Sequence, residues 1–257
     1  MGGGGGGGGP TGGGGAAPTC DLLGGGGCSC LSLATLGYPG GWRPGDTLSD
    51  WIGPAVQGGI TNLGGSTLTD ELLARFQVVV VEDVREGTPG GSGVGAGIGR
   101  SISSAEVDAL RKWVENGGGL MTLSGYSDPS EVINVNRLLA PFDLTYGTRS
   151  ILVSDGTGLP ITHWAAHPIS AGVSQMRFDT GYEVYGGGTL IAWEPNPGQY
   201  DVARAVEVGR GRVFAWGDEW IGYSAFLDRT DIQPRRFWVN VLAWLTPPAE
   251  CQVTIPR

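Results

Sequence analysis

Carboxylates, hydroxyls and aromatic rings recur at four places in the chain, each just after a run that reads as a buried strand. They are Tyr38 and Trp42; Glu82 and Asp83; Ser124, Tyr126 and Ser127; and Asp218, Glu219 and Trp220, with Tyr223 close behind. Ligands of a parallel α/β sheet bind outside the carboxyl ends of its strands, so neighbouring parallel strands would bring these places to one crevice. Aromatic faces beside carboxylates suit a polyhydroxylated ligand, because rings cover apolar sugar faces while carboxylates accept from hydroxyls. A plainer arrangement fits the same residues, with the tryptophans in the core and the acids capping helix starts.

The segment Gly125-Tyr126-Ser127-Asp128-Pro129 is one residue away from the G-x-S-x-G elbow that presents a nucleophilic serine. Pro129 stands where a second glycine would let strand and helix pack closely. A serine nucleophile also needs a base within hydrogen-bond reach. The two histidines, His163 and His167, lie in a different stretch of the chain. Ser127 and Asp128 therefore read first as caps of the following helix, and Ser127, Asp218 and Glu219 stand as the catalytic candidates. His163 and His167 form H-x3-H, a metal-binding spacing on a helix, but Pro160 and Pro168 argue against a helix there. Gly93-Val94-Gly95-Ala96-Gly97-Ile98-Gly99 contains no G-x-G-x-x-G frame and reads as a surface loop. Cys28-Ser29-Cys30 is C-x-C with no histidine near, unlike a zinc ribbon. No metal and no cofactor are expected.

The elements that must position these groups alternate between strand and helix. Leu31 to Leu36, the weak run Ile60 to Leu63, Val78 to Val81 and Leu120 to Leu123 read as strands. The four valines in a row mark a strand buried on both faces. Helical spacing is seen from Leu48 to Val56, limited by Pro54. Thr69 caps a short helix. Ser103 and Glu106 make a capping box ahead of Val107, Leu110, Trp113 and Val114. Asp128-Pro129-Ser130-Glu131 opens another helix, which Pro141 stops. From Leu144 to Val213 the texture is β. Strands are expected at Ile151 to Val153, Met176 to Phe178, Glu183 to Tyr185, Leu190 to Trp193, Val202 to Val208 and Arg212 to Trp216, with a hairpin turn at Gly209-Arg210-Gly211. Phe237 to Leu245 reads as a final helix.

Composition narrows the setting. The chain has 257 residues, a net charge of −9 and a pI near 4.7, and Lys112 is its one lysine. With no basic run, nucleic acid is not an expected partner. No run of 18 apolar residues occurs, so no membrane span is expected. Residues 1–30 are a glycine-rich tract with the composition of a flexible tether, 31–246 carry the foldable pattern, and 247–257 form a tail. Of the cysteines, Cys20, Cys28 and Cys30 flank the start of the folded part and Cys251 follows its end. Domain termini tend to lie close together, so a disulfide from Cys251 to one of the first three is a natural expectation, though four cysteines allow three pairings. Disulfides imply an oxidising compartment, hence an extracytoplasmic protein (periplasmic, cell-surface or secreted) whose export signal is not in this chain.

Several segments together carry a resemblance. They are Leu72 to Val81; Val107 to Gly119 leading into Leu120-Met121-Thr122-Leu123; His167-Pro168-Ile169-Ser170-Ala171-Gly172-Val173; Gly209-Arg210-Gly211-Arg212-Val213; and Phe237 to Leu245. In order and spacing they resemble the class I glutamine amidotransferase-like superfamily, nearest its trehalose-utilisation-type (ThuA-like) branch. The resemblance implies a flavodoxin-like α/β fold, a doubly wound and mostly parallel sheet with helices on both faces and a β-rich insertion. Active members carry a cysteine in the turn after the central strand and a histidine after the last sheet strand. Ser124-Gly125-Tyr126-Ser127 and Asp218-Glu219-Trp220 occupy the matching places here, so nucleophile and base are both missing. The resemblance therefore implies the fold and not the reaction. The reading that follows is a non-catalytic exported domain binding a ligand, a carbohydrate by the chemistry of its side chains, or a protein partner at the strand carboxyl ends. The other reading is a sugar-processing enzyme of the trehalose-utilisation type, with carboxylates such as Asp83, Asp218 or Glu219 as acid and base.

Overall fold

The computed structural model describes Met1, the Thr19–Cys20 backbone, and residues 31–87, 98–125, 129–195, 198–246 and 252–253. An eight-stranded sheet runs through the centre. Its strands are β1 (Leu33–Gly37), β2 (Thr61–Gly64), β3 (Val78–Glu82), β4 (Gly119–Leu123), β5 (His163–Trp164), β6 (Thr189–Glu194), β7 (Tyr200–Val208) and β8 (Gly211–Trp216). The spatial order is β5-β6-β7-β8-β4-β3-β1-β2. Pairing is parallel from β8 through β4, β3 and β1 to β2, and antiparallel among β5, β6, β7 and β8. The parallel half is thus a flavodoxin-like arrangement, and its strand order reverses between β1 and β3.

Burial explains why the central strands form where they do. Every residue of β1, β3 and β4 is buried, which an apolar run without alternation satisfies only between two helical layers. On one face Leu33, Val78, Val80, Met121, Phe214 and Trp216 pack with α1 (Thr47–Ile52) and the closing helix Pro234–Leu245. On the other, Ala34, Val79, Val81, Leu120, Val213 and Ala215 meet Leu73 of α2 (Asp70–Leu73), α3 (Ser104–Glu115) and α4 (Pro129–Leu139). The helix starts follow the expected chemistry. Thr69 Oγ1 accepts from the Leu72 N–H at 3.2 Å, and Ser103 and Glu106 cap each other reciprocally. Asp128 lies outside the described residues.

The β-rich insertion departs from expectation at its first strand. Pairing runs from Leu144 to Ile151 against Gly181–Gly186, so the strand ends where one was expected to begin. Leu152 has φ +48°, a left-handed conformation that breaks the strand at once. The polar centre of this strand, Gly147-Thr148-Arg149-Ser150, hides it from a search for apolar runs. Tyr146 ties it to the main sheet: its buried hydroxyl lies 2.7 Å from Thr122 Oγ1, 2.9 Å from the Thr122 carbonyl and 3.0 Å from the Trp216 carbonyl.

Outside the sheet, Thr19–Cys20 pairs in parallel with Gln252–Val253, so segments from the two ends of the chain meet. Cys28, Cys30, Cys251 and the side chain of Cys20 lie outside the described residues. No helix among the described residues is long and apolar enough to cross a membrane.

Candidate functional site

Tyr38, Glu82, Ser124 and Asp218 each close or follow a strand at the carboxyl edge of the parallel sheet, and carboxylates dominate what gathers there. Glu82 closes β3, and Asp83 follows it with φ +48°. That left-handed turn, tolerated by Asp better than by most residues, sends the chain sideways and lets Arg85 reach back. Arg85 Nε donates to Asp83 Oδ1 at 2.6 Å, and its Nη2 donates to Glu131 Oε1 at 3.0 Å. Glu131 stands in the first turn of α4, and its second oxygen accepts from the Gly125 N–H at 3.2 Å. Asp218 and Glu219 follow β8. One carboxylate oxygen from each of Asp83, Glu131 and Glu219 lies within 4.8 Å of the others.

All of these acids are buried. Exposure is 1% for Glu82, 2% for Asp83, 0% for Glu131 and Asp218, and 6% for Glu219. Burial pushes the Glu219 carboxyl up to about 8, reinforced by Asp83 and Asp218, while Arg85 opposes the shift. Burial also raises Glu131, aided by Glu219 and Asp83, against the lowering pull of Arg85 and the Gly125 N–H. Glu82 is raised well above the ordinary carboxylate range by burial and then by Glu219, Asp83 and Glu131. Asp218 is raised to about 8 by burial, although it accepts from the backbone N–H groups of Trp220 at 2.8 Å and Asp179 at 2.9 Å. Those two bonds give Asp218 a local structural task, holding the turn after β8 against the insertion.

Two glycines allow the loops to close over this floor. A Cβ on Gly40 would stand 1.9 Å from Glu82 Oε1, and one on Gly41 would stand 1.9 Å from the Gly222 carbonyl oxygen. The loops after β1 and β8 therefore touch backbone to backbone, which only glycine permits.

The sequence-derived candidates sort as follows. Glu82, Asp83, Ser124, Asp218 and Glu219 come together, and the Ser124 hydroxyl is buried without a hydrogen-bond partner among the described residues. Trp42 belongs to the core instead: it is 3% exposed and stands edge-on to Trp238 at 5.0 Å, so it offers no ring face to a ligand. Tyr38, Trp220 and Tyr223 remain half-buried, with the rings of Trp220 and Tyr223 5.1 Å apart. Burial, followed by Glu82 and Glu219, raises the Tyr223 hydroxyl and keeps it protonated. Tyr126 and Ser127 lie outside the described residues. His163 is exposed on the edge strand β5. His167 Nδ1 accepts from the Ile169 N–H at 3.2 Å and packs on Trp244, which fits a loop-orienting role.

Glu131 and Arg85 complete the cluster and were not among the expected site residues. Glu131 two positions after Pro129 reads as an ordinary first-turn acid, and Arg85 lies outside β3. A pattern of acid, acid, spacer and arginine directly after a buried strand was the one available signal.

No protein-family profile and no curated relative matches the sequence. Solved structures do match in fold. The N-terminal domain of mmIFT52 superposes with a TM-score of 0.63 at 14% identity, covering 83% of this chain and 96% of that one. The cytoplasmic protein STM1381 from Salmonella typhimurium LT2 gives 0.58 at 14% identity, covering 84% and 100%. A putative ThuA-like protein from Bacteroides uniformis ATCC 8492 gives 0.52 at 11% identity, covering 87% and 96%. The chain thus shares its α/β fold with proteins that include a ThuA-like one, and at such identities the likeness is one of fold alone.

Proposed function

We propose that this chain is an amidotransferase-like domain of the ThuA-like kind that lacks the thiol chemistry and binds a polar ligand at its strand carboxyl ends. The observation that carries this reading is the gathering of five buried acids where β3, β4 and β8 end, the place where such folds hold their ligands. By the resemblance, the turn Ser124-Gly125-Tyr126-Ser127 and the segment Asp218-Glu219-Trp220 match the places where active members carry nucleophile and base. The half-buried rings of Tyr38, Trp220 and Tyr223 stand nearby. A carboxylic acid kept neutral by burial donates a hydrogen bond as well as accepting one, which suits hydroxyl-rich ligands such as carbohydrates.

The test is a thermal-shift and glycan-array screen of the full chain beside Trp220→Ala and Tyr38→Ala. A saccharide that raises the melting temperature of the parent and not of the two variants supports the reading. A blank array, with no saccharide shifting the parent, removes carbohydrate as the ligand.

A catalytic reading has one specific support. Glu219 is held neutral near pH 7, whereas Asp83 sits on the Arg85 guanidinium at 2.6 Å, so two neighbouring carboxyls have unlike surroundings. Turnover of aryl glycosides that is lost in both Glu219→Gln and Asp83→Asn would favour it over simple binding.

The cysteines support an extracytoplasmic setting on the same footing. The backbone pairing of Thr19–Cys20 with Gln252–Val253 brings the terminal cysteine-bearing segments together.

A further inference from the structure

We propose that Asp83, Glu131 and Glu219 form a binding site for a hard divalent cation of the Ca2+ or Mn2+ type. The inference rests on reading the strand ends as a binding site and names a first occupant for it.

Geometry carries the first part. One oxygen from each of the three carboxylates lies within 4.8 Å of the other two. Oxygens on opposite sides of a Ca2+ ion, bound at about 2.4 Å each, stand about 4.8 Å apart, and adjacent ones stand closer. The bound on the three oxygens is thus of the size that ligands sharing one hard cation span. Three different elements supply the ligands: the turn after β3, the first turn of α4 and the turn after β8. The first two are already oriented by Arg85 and the Gly125 N–H, as metal ligands generally are by outer partners.

Charge carries the second part. An ion entering the site displaces the protons that burial leaves on these acids; the three carboxylates beside the Arg85 guanidinium then carry two net negative charges, which one divalent cation neutralises. Buried charges persist only when paired or bound to metal.

An independent observation points the same way. Glu82 is 1% exposed, and neither of its carboxyl oxygens has a hydrogen-bond partner among the described residues. Its strongest electrostatic neighbours are Glu219, Asp83 and Glu131, in that order. A buried carboxyl left unsatisfied next to three other acids calls for a partner to complete it. A water on the ion, donating to Glu82, would supply it.

Calorimetric titration of the EDTA-stripped full chain with CaCl2, MnCl2 and MgCl2 tests this. Glu219→Gln and Asp83→Asn are the site variants, and the exposed Asp108→Asn is the control. The expected result is saturable one-site binding of Ca2+ or Mn2+ to the parent and the control, weakened at least tenfold in both site variants. Absence of saturable heat with all three salts on the parent overturns the proposal, as does parental affinity in the site variants. Should the site variants fail to fold by circular dichroism, anomalous scattering from Mn2+-soaked crystals of the parent decides. An ion on the Glu219 carboxylate supports the site, and an ion elsewhere or none overturns it. Glycan binding measured in EDTA keeps the two ideas separable. Saturable Ca2+ binding with a blank array removes the saccharide and keeps the cation. A saccharide response in EDTA without cation binding does the reverse.

Discussion

Arg85 and Glu219 hold opposite positions in the acidic cluster. Arg85 is the counter-charge for Asp83 and Glu131, while Glu219 faces the same acids with a carboxyl raised to about 8. Asp218 is raised to a similar value. Because both values exceed the ordinary 4.5 and 3.8, the folded state holds more protons than the unfolded one between about pH 4 and pH 8. That contribution is fully present below the ordinary values and is lost as pH rises through about 8. In chelator, the urea midpoint is therefore expected to be higher at pH 5.5 than at pH 8.5, with a smaller drop in Glu219→Gln. A midpoint that climbs across the same interval would contradict the buried, neutral acids. Arg85→Leu tests the other side: it leaves two buried carboxylates without their cation, a change that costs about 3–5 kcal/mol when the charges persist. Its destabilisation should be larger at pH 8.5 than at pH 5.5, where the acids can take up protons instead. Most of this chemistry was legible as residue types, since Glu82, Asp83, Asp218 and Glu219 all follow strands. Glu131 was not, because an acid in the first turn of a helix has an adequate local reason to be there.

The strands and helices that set these side chains differ in how openly the chain announces them. β3 and β4 are unbroken apolar runs, and α3 carries a capping box, so local chemistry and burial agree. The strand Leu144–Ile151 buries one face against the sheet and leaves Thr148 and Arg149 exposed, so its polar centre weakens the pattern. Its position depends on a tertiary contact, the Tyr146 hydroxyl against the carbonyls of Thr122 and Trp216. Tyr146→Phe removes that hydroxyl and strips the buried Thr122 Oγ1 of its tyrosine partner. A loss of about 1–3 kcal/mol in urea unfolding is expected, whereas an unchanged midpoint would mean the hairpin is held by apolar packing alone. The loops over the site obey a different constraint. Gly41 packs against the Gly222 carbonyl too closely for any side chain, so Gly41→Ala must push the loops apart. Overpacking of this kind costs about 1–3 kcal/mol. It should also raise the accessibility of Glu82 to carboxyl-modifying reagents, read by peptide mapping.

For the molecule as a whole, the sheet explains how distant segments reach one crevice but leaves its ends to be held by other means. The acids come from residues 82, 83, 131, 218 and 219, and the order β8-β4-β3-β1 makes their strands immediate neighbours. The net charge of −9 adds general repulsion to the concentration of acids at this edge. The chain's terminal segments meet on their own small pair of strands, with Cys20 in register with Val253, two residues beyond Cys251. A covalent link there would close a loop around nearly the whole domain. Cross-links that close long loops restrict the unfolded chain most, on the order of 4–5 kcal/mol in the chain-entropy account. The pairing we propose is Cys251 with one of Cys20, Cys28 and Cys30, a link that would form in an oxidising compartment. Intact mass of protein isolated under thiol-blocking conditions should rise on reduction by the added hydrogens. A peptide containing Cys251 should migrate with one of the N-terminal cysteine peptides until reductant is added. Alkylation of all four cysteines in the native, unreduced protein would exclude the link and with it the main support for an extracytoplasmic setting. Cys251→Ser should lower the melting temperature of the oxidised protein towards that of the reduced one, because the whole-domain loop is then open in both.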